Sequence, residues 1–304
     1  MSLSFTTRTM DPGDIQPVTE IQTRYAANHP PREPAPAQLY VSPYFNNGQS
    51  VLCAIDENGR VIAYAPYFPH NDLAWVEIET LPDLDDPTPV RDRLFTFLLE
   101  RARECGQRLL NFQYFPSEVD RIDYAQSKGA QYVYSIFFMS RDLNEPIPGP
   151  ADAPIPPGFS IRHWRMESED EQRSYLDARN ACFPEAPTSL SEWQYFITTP
   201  HWENGVNVAA FEGENLAASV LAYWDPSSSS GFTEDVFTLP PYRGKGLAYA
   251  LLGEALRYLK NHGLSHAKLQ VKAENRSALS VYLKMGYQVA AESRVYQVAV
   301  SPAN

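Results

Sequence analysis

The same series of landmarks occurs twice along this 304-residue chain, at a nearly constant separation. A hairpin-like stretch, VLCAIDENGRVIAYA (51–65), is matched by NVAAFEGENLAASVLAY (207–223), with Ala54 and Ala210 156 residues apart. The strand ends ETLP and FTLP place Pro82 and Pro240 158 apart; Gly106 and Gly263, and Gly129 and Gly286, are each 157 apart. Four landmarks within two residues of one offset indicate an internal duplication, and its unit is domain-sized, too long for a solenoid repeat. Between the copies, residues 144–158 (NEPIPGPADAPIPPG) hold six prolines and two glycines, a composition that sustains neither a helix nor a central strand and reads as a semi-rigid linker. The expected organisation is therefore a first domain over 1–143, a linker over 144–158 and a second domain over 159–304.

Hydrophobic periodicity gives the order of elements in the second copy. FSIRHW (159–164) alternates like a short strand, and a polar, acidic helix follows through Asp177, Ala178 and Cys182. Strands over 207–212 and 216–224 flank a tight EGEN turn, and GFTEDVFTL (231–239) is a third strand ending at Pro240-Pro241. Leu247, Ala248, Leu251, Leu252, Ala255, Leu256 and Leu259 recur at helical steps up to the stop at Gly263. A strand over 267–273, a helix over 275–285 and a strand over 287–300 complete the copy. Strands that precede, interleave with and follow helices define an α/β (α+β) fold class.

Composition excludes several functions. With 43% hydrophobic and 20% charged residues the chain has the makeup of a folded protein, and its longest apolar stretches fall far short of a membrane helix. The net charge of −12 argues against nonspecific binding of nucleic acid or anionic membranes. Three scattered cysteines (Cys53, Cys105, Cys182) provide no disulfide framework or metal knuckle; together with a first segment lacking a signal-type apolar core, they lead us to expect the cytoplasm and no metal. His262 and His266 are four apart, but Gly263 breaks the helix between them, which argues against a metal pair.

The sharpest motif is Pro240-Pro241-Tyr242-Arg243-Gly244-Lys245-Gly246-Leu247-Ala248, between a strand and an amphipathic helix. Glycines at a helix start let backbone approach a ligand closely, the unpaired N–H groups there point at anions, and Arg243 and Lys245 add positive charge. The stretch is neither a Walker A loop nor a GxGxxG fingerprint, because Tyr249 stands where the third glycine would be. Arg243-x-x-Gly246-x-Ala248 after a strand ending in proline resembles the acetyl-CoA signature of the GNAT N-acetyltransferase superfamily. Leu269-x-Val271-x-x-x-Asn275-x-x-Ala278-x-x-x-Tyr282-x-Lys284-x-Gly286-Tyr287 resembles that superfamily's second motif. The match covers about 159–300, and the duplicated layout is similar to that of two-domain members such as mycothiol synthase.

The resemblance implies two tandem GNAT-like domains, each a mixed central sheet whose adjacent parallel strands splay to admit a pantetheine arm. It implies acetyl-CoA as acyl donor, with backbone groups of Phe237, Thr238 and Leu239 pairing with that arm. The amides from Gly244 through Lys245, Gly246 and Leu247 to Ala248, beside Arg243, would hold the pyrophosphate. Asn275 would bond the cofactor arm, and Tyr282 would meet the thiol sulfur and protonate it as it leaves. On their own, Asn275 also reads as a helix N-cap and Tyr282 as core. Acyl transfer to an amine needs a base, and Glu234 and Asp235 are the acidic candidates on the expected cofactor strand. Strand alternation would turn only one of them toward the cleft, and Glu234 shares the parity of Val236 and Thr238.

Projected onto the first copy, the motif disappears. Arg243 falls on Asp85, and the cradle becomes Asp83-Leu84-Asp85-Asp86-Pro87-Thr88-Pro89, with three carboxylates, no glycine and two prolines that lack amide donors. Asn275 becomes Glu118 and Tyr282 becomes Ala125, while the hydrophobic frame of Leu94, Phe97, Leu98 and Ala102 persists. The expectation is one cofactor-binding domain and one degenerate copy, acting on a small-molecule amine with no nucleic acid or membrane partner. The alternatives are a non-catalytic acetyl-CoA-binding regulator and an enzyme using another acyl-CoA. The sequence leaves the acceptor and the oligomeric state open.

Overall fold

A computed structural model describes residues 4–149, 151–152 and 154–300, so Pro150 and Ala153 of the proline-rich segment lie outside the described residues. The chain divides into two compact units. Unit 1 takes the chain up to Ser135 and again from Ser293, and unit 2 is Ile136–Glu292. This differs from the expected 1–143/159–304 division. In sequence order the elements are β1 (Phe5–Thr9), α1 (Ile15–Asn28), β2 (Val51–Asp56), β3 (Val61–His70), β4 (Leu73–Val76), β5 (Glu79–Thr80), α2 (Thr88–Cys105), β6 (Leu109–Tyr114), α3 (Val119–Ser127) and β7 (Gln131–Asp142). The second copy follows as β8 (Phe159–His163), α4 (Glu169–Cys182), α5 (Leu190–Phe196), α6 (Pro200–Glu203), β9 (Val206–Glu212), β10 (Asn215–Trp224), β11 (Ser230–Thr238), α7 (Leu247–Asn261), β12 (His266–Lys272), α8 (Arg276–Lys284) and β13 (Gln288–Ala299).

The two sheets have the same order. Unit 1 runs β1-β2-β3-β4-β6-β13 and unit 2 runs β8-β9-β10-β11-β12-β7, antiparallel throughout except for β4–β6 and β11–β12. The last strand of each sheet explains the boundary. The second half of β13, Arg294–Ala299, pairs with β6 in unit 1, while His266–Lys272 of β12 pairs with the second half of β7 in unit 2. Each copy's final strand is thus completed in the other copy's sheet. Local pattern identified β13 as a strand, but pairing across a sheet joins residues far apart in sequence, and no local signal specifies the partner.

Each parallel pair is short. Leu73–Trp75 pair with Leu109–Asn111 in unit 1, and Ser230–Phe232 with His266–Lys268 in unit 2, so corresponding residues are again 157 apart. Beyond these three-residue contacts the two strands of each pair diverge, which is the splay the sequence led us to expect. In unit 2 the cleft is braced by α7, whose Leu247, Leu251, Leu252, Ala255, Leu256 and Leu259 are buried in one cluster with Val208, Val220 and Ala222 of β9 and β10. Burying each such leucine contributes roughly 1.5–3 kcal/mol, so the helix that carries the glycine loop is firmly seated. A capping box (Ser168 with Glu171) starts α4, and α4 and α5 cover the other face through Tyr175, Leu176 and Trp193.

Candidate active site

The site is built where β11 and β12 part. β11 carries a bulge: Leu221 lies opposite Glu234 and Ser219 opposite Phe237, so β11 has one residue more than β10 across this step. Asp235 takes up the extra residue with φ +46°, a left-handed conformation uncommon for a residue other than glycine. Paired residues share a face, so the bulge puts Glu234 on the face of Phe237, toward α4 and α5, and not with Val236 and Thr238 as simple alternation required. Asp235 turns to the same side. The expectation that the two carboxylates face opposite ways is therefore corrected, and the extra residue is the cause.

On that face the two acids have different fates. Asp235 Oδ2 accepts from Tyr175 Oη at 3.0 Å and from Arg179 Nε at 2.9 Å, so its charge is engaged. Glu234 remains accessible although protein surrounds it. Desolvation first, and the charge of Asp235 second, push its carboxyl up to about 7, against a hydrogen bond with Tyr223 and the charge of Arg179. A carboxyl poised near neutrality can take and release a proton at ordinary pH.

Facing the splay, Leu239 N–H donates to Ala217 O at 2.9 Å, which makes Leu239 and Phe237 the residues bonded to β10 in the antiparallel alternation. The Leu239 N–H is thus spent within the sheet and its carbonyl accepts from Tyr242 N, Phe237 pairs with Ser219 of β10, and the Phe237 ring is buried against Tyr175 and Phe183, which leaves neither residue's backbone free, contrary to the expectation for both. Thr238, between them, directs its N–H and C=O into the gap. Its carbonyl accepts from Arg243 Nε at 3.0 Å, folding that exposed arginine over the strand end.

The loop before α7 fits an anion. Gly244 and Gly246 adopt φ +77° and +84°, and a Cβ built on either meets nothing within 4 Å, so the backbone there borders open space. The first-turn amides of α7, from Leu247 on, lack intrahelical partners and carry the positive end of the helix dipole. Lys245 is exposed, its ammonium over the rings of Phe159 and Tyr242 at 5.1 and 5.5 Å. Ala248 lies in that first turn, half-buried. These residues suit a pyrophosphate.

Asn275 is the N-cap of α8: its Oδ1 accepts from Ala278 N at 3.1 Å and from Ser277 Oγ at 2.9 Å. The capping alternative thus holds for its oxygen, and its exposed amide nitrogen has no protein partner among the described residues. Tyr282 is 6% exposed and packs in the α7 cluster, its ring 6.0 Å from that of Tyr287. Its hydroxyl has no protein partner among the described residues and is not sealed from solvent, and burial pushes it up to about 12. It is therefore protonated at neutral pH. Tyr175, Arg179 and Tyr223 were missed from the sequence. The four-residue step from Tyr175 to Arg179 placed them on one helix face, but nothing local aimed that face at Asp235.

Unit 1 has filled the same places with its own side chains. Where β4 and β5 part from β6, Arg32 and Arg121 meet Glu77, Glu79 and Glu118, with Arg121–Glu79 at 3.2 Å and Arg121–Glu118 at 3.4 Å. Arg121 and Glu79 are each 2% exposed and Glu118 is fully buried, while the Arg121 guanidinium lies 3.4 Å from the Tyr25 ring centroid. At the loop, Asp86 Oδ1 accepts from Thr88 N at 3.0 Å, so a carboxylate already occupies the start of α2.

A mixed sheet whose parallel strands part beside a glycine-lined helix start, with Glu234 on the opened strand, is an α/β fold with its candidate site at the splay. Residues 168–287 match the model of the Acetyltransferase (GNAT) family. Among curated relatives, the chain is 30% identical over 164 residues to a mycothiol acetyltransferase of Segniliparus rotundus, covering 50% of this chain and 58% of that protein. It is 28% identical over 160 residues to the mycothiol acetyltransferase of Streptomyces coelicolor, covering 50% and 51%. The chain spans about half the length of the curated relatives it matches. Two solved structures share the fold over nearly the whole chain. A GCN5-related N-acetyltransferase from Sphaerobacter thermophilus has TM-score 0.72 at 19% identity, covering 100% and 98% of the two chains. A tandem GNAT protein of the clavulanic acid biosynthesis pathway has 0.74 at 15%, covering 99% and 100%.

Proposed function

We propose that this chain transfers an acetyl group from acetyl-CoA to the primary amine of a small molecule, by direct attack within a ternary complex in unit 2. The observation that carries the reading is the geometry at Glu234: the β11 bulge brings this carboxyl onto the α4–α5 face, beside the splay and the glycine loop, and desolvation there pushes it up toward neutrality. The GNAT match and the names of the relatives support the reaction class. Acetyl-CoA supplies an activated thioester, and everything else falls to the protein.

The amide cluster of Gly244 through Ala248 holds the pyrophosphate, and Thr238 offers its backbone N–H to the pantetheine arm, with the Asn275 amide nitrogen as a further donor. Glu234 takes the proton that the acceptor ammonium must lose before it can attack. Backbone N–H at the opened edge of β11 donates to the oxygen on which negative charge develops. The Tyr282 hydroxyl gives its proton to the departing thiolate, and the second proton, shed by the nitrogen as the amide forms, restores the tyrosine. Direct attack needs no covalent bond from the protein to the acetyl group, and burial raises the thiols of Cys53 and Cys182 above their ordinary range. Unit 1 serves as scaffold, its splay and helix start filled from within.

The test is release of free thiol from acetyl-CoA against a panel of primary amines, including amino sugars and cysteinyl amines. Amine-dependent release with an acetylated product supports the reading. Tight acetyl-CoA binding with no amine-dependent release across the panel favours a binding protein instead.

A further inference from the structure

Two consecutive turns of α4 end on the same carboxylate oxygen. Tyr175 and Arg179 both donate to Asp235 Oδ2, and the side chains of Arg179 and Asp235 are only 15% and 16% exposed. Asp235 is the residue that absorbs the bulge in a left-handed conformation, so these bonds hold the strained position itself. Arg179 does more than pair with it. Its terminal nitrogen Nη1 donates to Ala186 O at 2.8 Å and to Asn180 Oδ1 at 3.2 Å. Asn180 in turn bonds the backbone of Thr188 in both directions. One guanidinium therefore ties the bulge of β11, the end of α4 and the loop over 183–188 together.

We propose that Arg179 is a positioning residue for the base: by clamping Asp235 in the bulge, it fixes the face and place of Glu234 and balances the charge beside it. The inference rests on the reading of Glu234 as the base. The groups facing Glu234 are Asp235 on its own strand, Tyr175 and Arg179 from α4, and Tyr223 from β10, with the ring of His201 of α6 tilted against that of Tyr223 at 5.0 Å. Asp235 opposes ionisation of Glu234 and Arg179 favours it, so removing either one acts on Glu234 with opposite sign.

The experiment compares Arg179→Ala, Arg179→Lys and Asp235→Asn in pH profiles of kcat/KM, with acetyl-CoA affinity measured alongside. Asparagine tolerates the left-handed conformation, so Asp235→Asn keeps the backbone while removing the charge. Arg179→Ala is expected to lower the rate at pH 7 by about 10-fold to 100-fold, as a misplaced base would. It should move the acidic inflection upward and leave acetyl-CoA affinity within about twofold, since the glycine loop lies elsewhere. Asp235→Asn is expected to move the inflection downward, and Arg179→Lys to return it toward wild type without restoring the full rate. Inflections that stay put, or that move the same way in Arg179→Ala and Asp235→Asn, overturn the proposal. If Arg179→Ala does not fold, the downward shift in Asp235→Asn and the Arg179→Lys profile decide the matter. A Glu234→Gln variant run in parallel separates the two claims. If it retains the wild-type rate, the base assignment fails; if it is slow while Arg179→Ala is normal, only the positioning role fails.

Discussion

Replacing Glu234 by glutamine removes the base while keeping the size and much of the hydrogen bonding of the side chain. Because Glu234 sits near 7, its contribution depends on pH in a way that can be worked out. The base is active when ionised. At pH 6 about a tenth of such a carboxyl is ionised and at pH 8 about nine tenths, roughly a tenfold change. A general base contributes typically ~10²-fold or more, so at pH 8 the variant should be slower by at least that factor. At pH 6 the deficit should shrink to about tenfold, because most of the wild-type base is already protonated. The acceptor chosen is a weakly basic amine that stays unprotonated across this range, so its own titration does not enter the ratio and Glu234 takes the proton that the nitrogen sheds as it attacks. The assay is single-turnover acetyl transfer across pH 6 to 8, which keeps product release from masking the chemical step. A wild-type-to-variant ratio that is flat with pH, or that grows toward acid, refutes the assignment of Glu234 as the base.

Tyr282→Phe should lower the single-turnover rate by about 100-fold while leaving acetyl-CoA affinity nearly unchanged, because the hydroxyl acts on charge that develops after binding; an unchanged rate returns Tyr282 to core packing. Arg121→Met leaves the buried carboxylates of Glu79 and Glu118 in unit 1 with Arg32 alone and should cost up to about 3–5 kcal/mol, read in denaturant unfolding, whereas a neutral effect would show that the cluster contributes little. Asp85→Ala should leave acetyl-CoA affinity unaltered, and a clear gain or loss in titration would assign unit 1 a part in binding.

Much of the fold was legible because its signals are local. The leucine period of α7, the stop at Gly263 and the glycine pair at 244 and 246 each follow from a few neighbouring residues, and the duplication made every landmark readable twice. The exchange of β7 and β13 between units was not legible, since the choice of a partner strand is settled by backbone bonds made across the sheet. The site shows the same division. Gly244 and Gly246 stand at an open helix start as the motif implied, but one extra residue at Asp235 reversed the parity argument for Glu234. A bulge has no sequence signature when a residue other than glycine occupies it. The bond from Leu239 to Ala217 likewise removed two of three residues expected to pair with the pantetheine arm.

The central claim is that unit 2 alone binds the donor, at the glycine loop before α7. Calorimetric titration of acetyl-CoA into the wild type and a folded Gly246→Glu variant tests it most directly. Gly246 is exposed, so the glutamate side chain has room but brings bulk and negative charge to the open space in front of the loop. One site per chain is expected in the wild type and none in the variant, whose folding is checked independently by circular dichroism. Two sites in the wild type, or wild-type affinity retained by the folded variant, would contradict it.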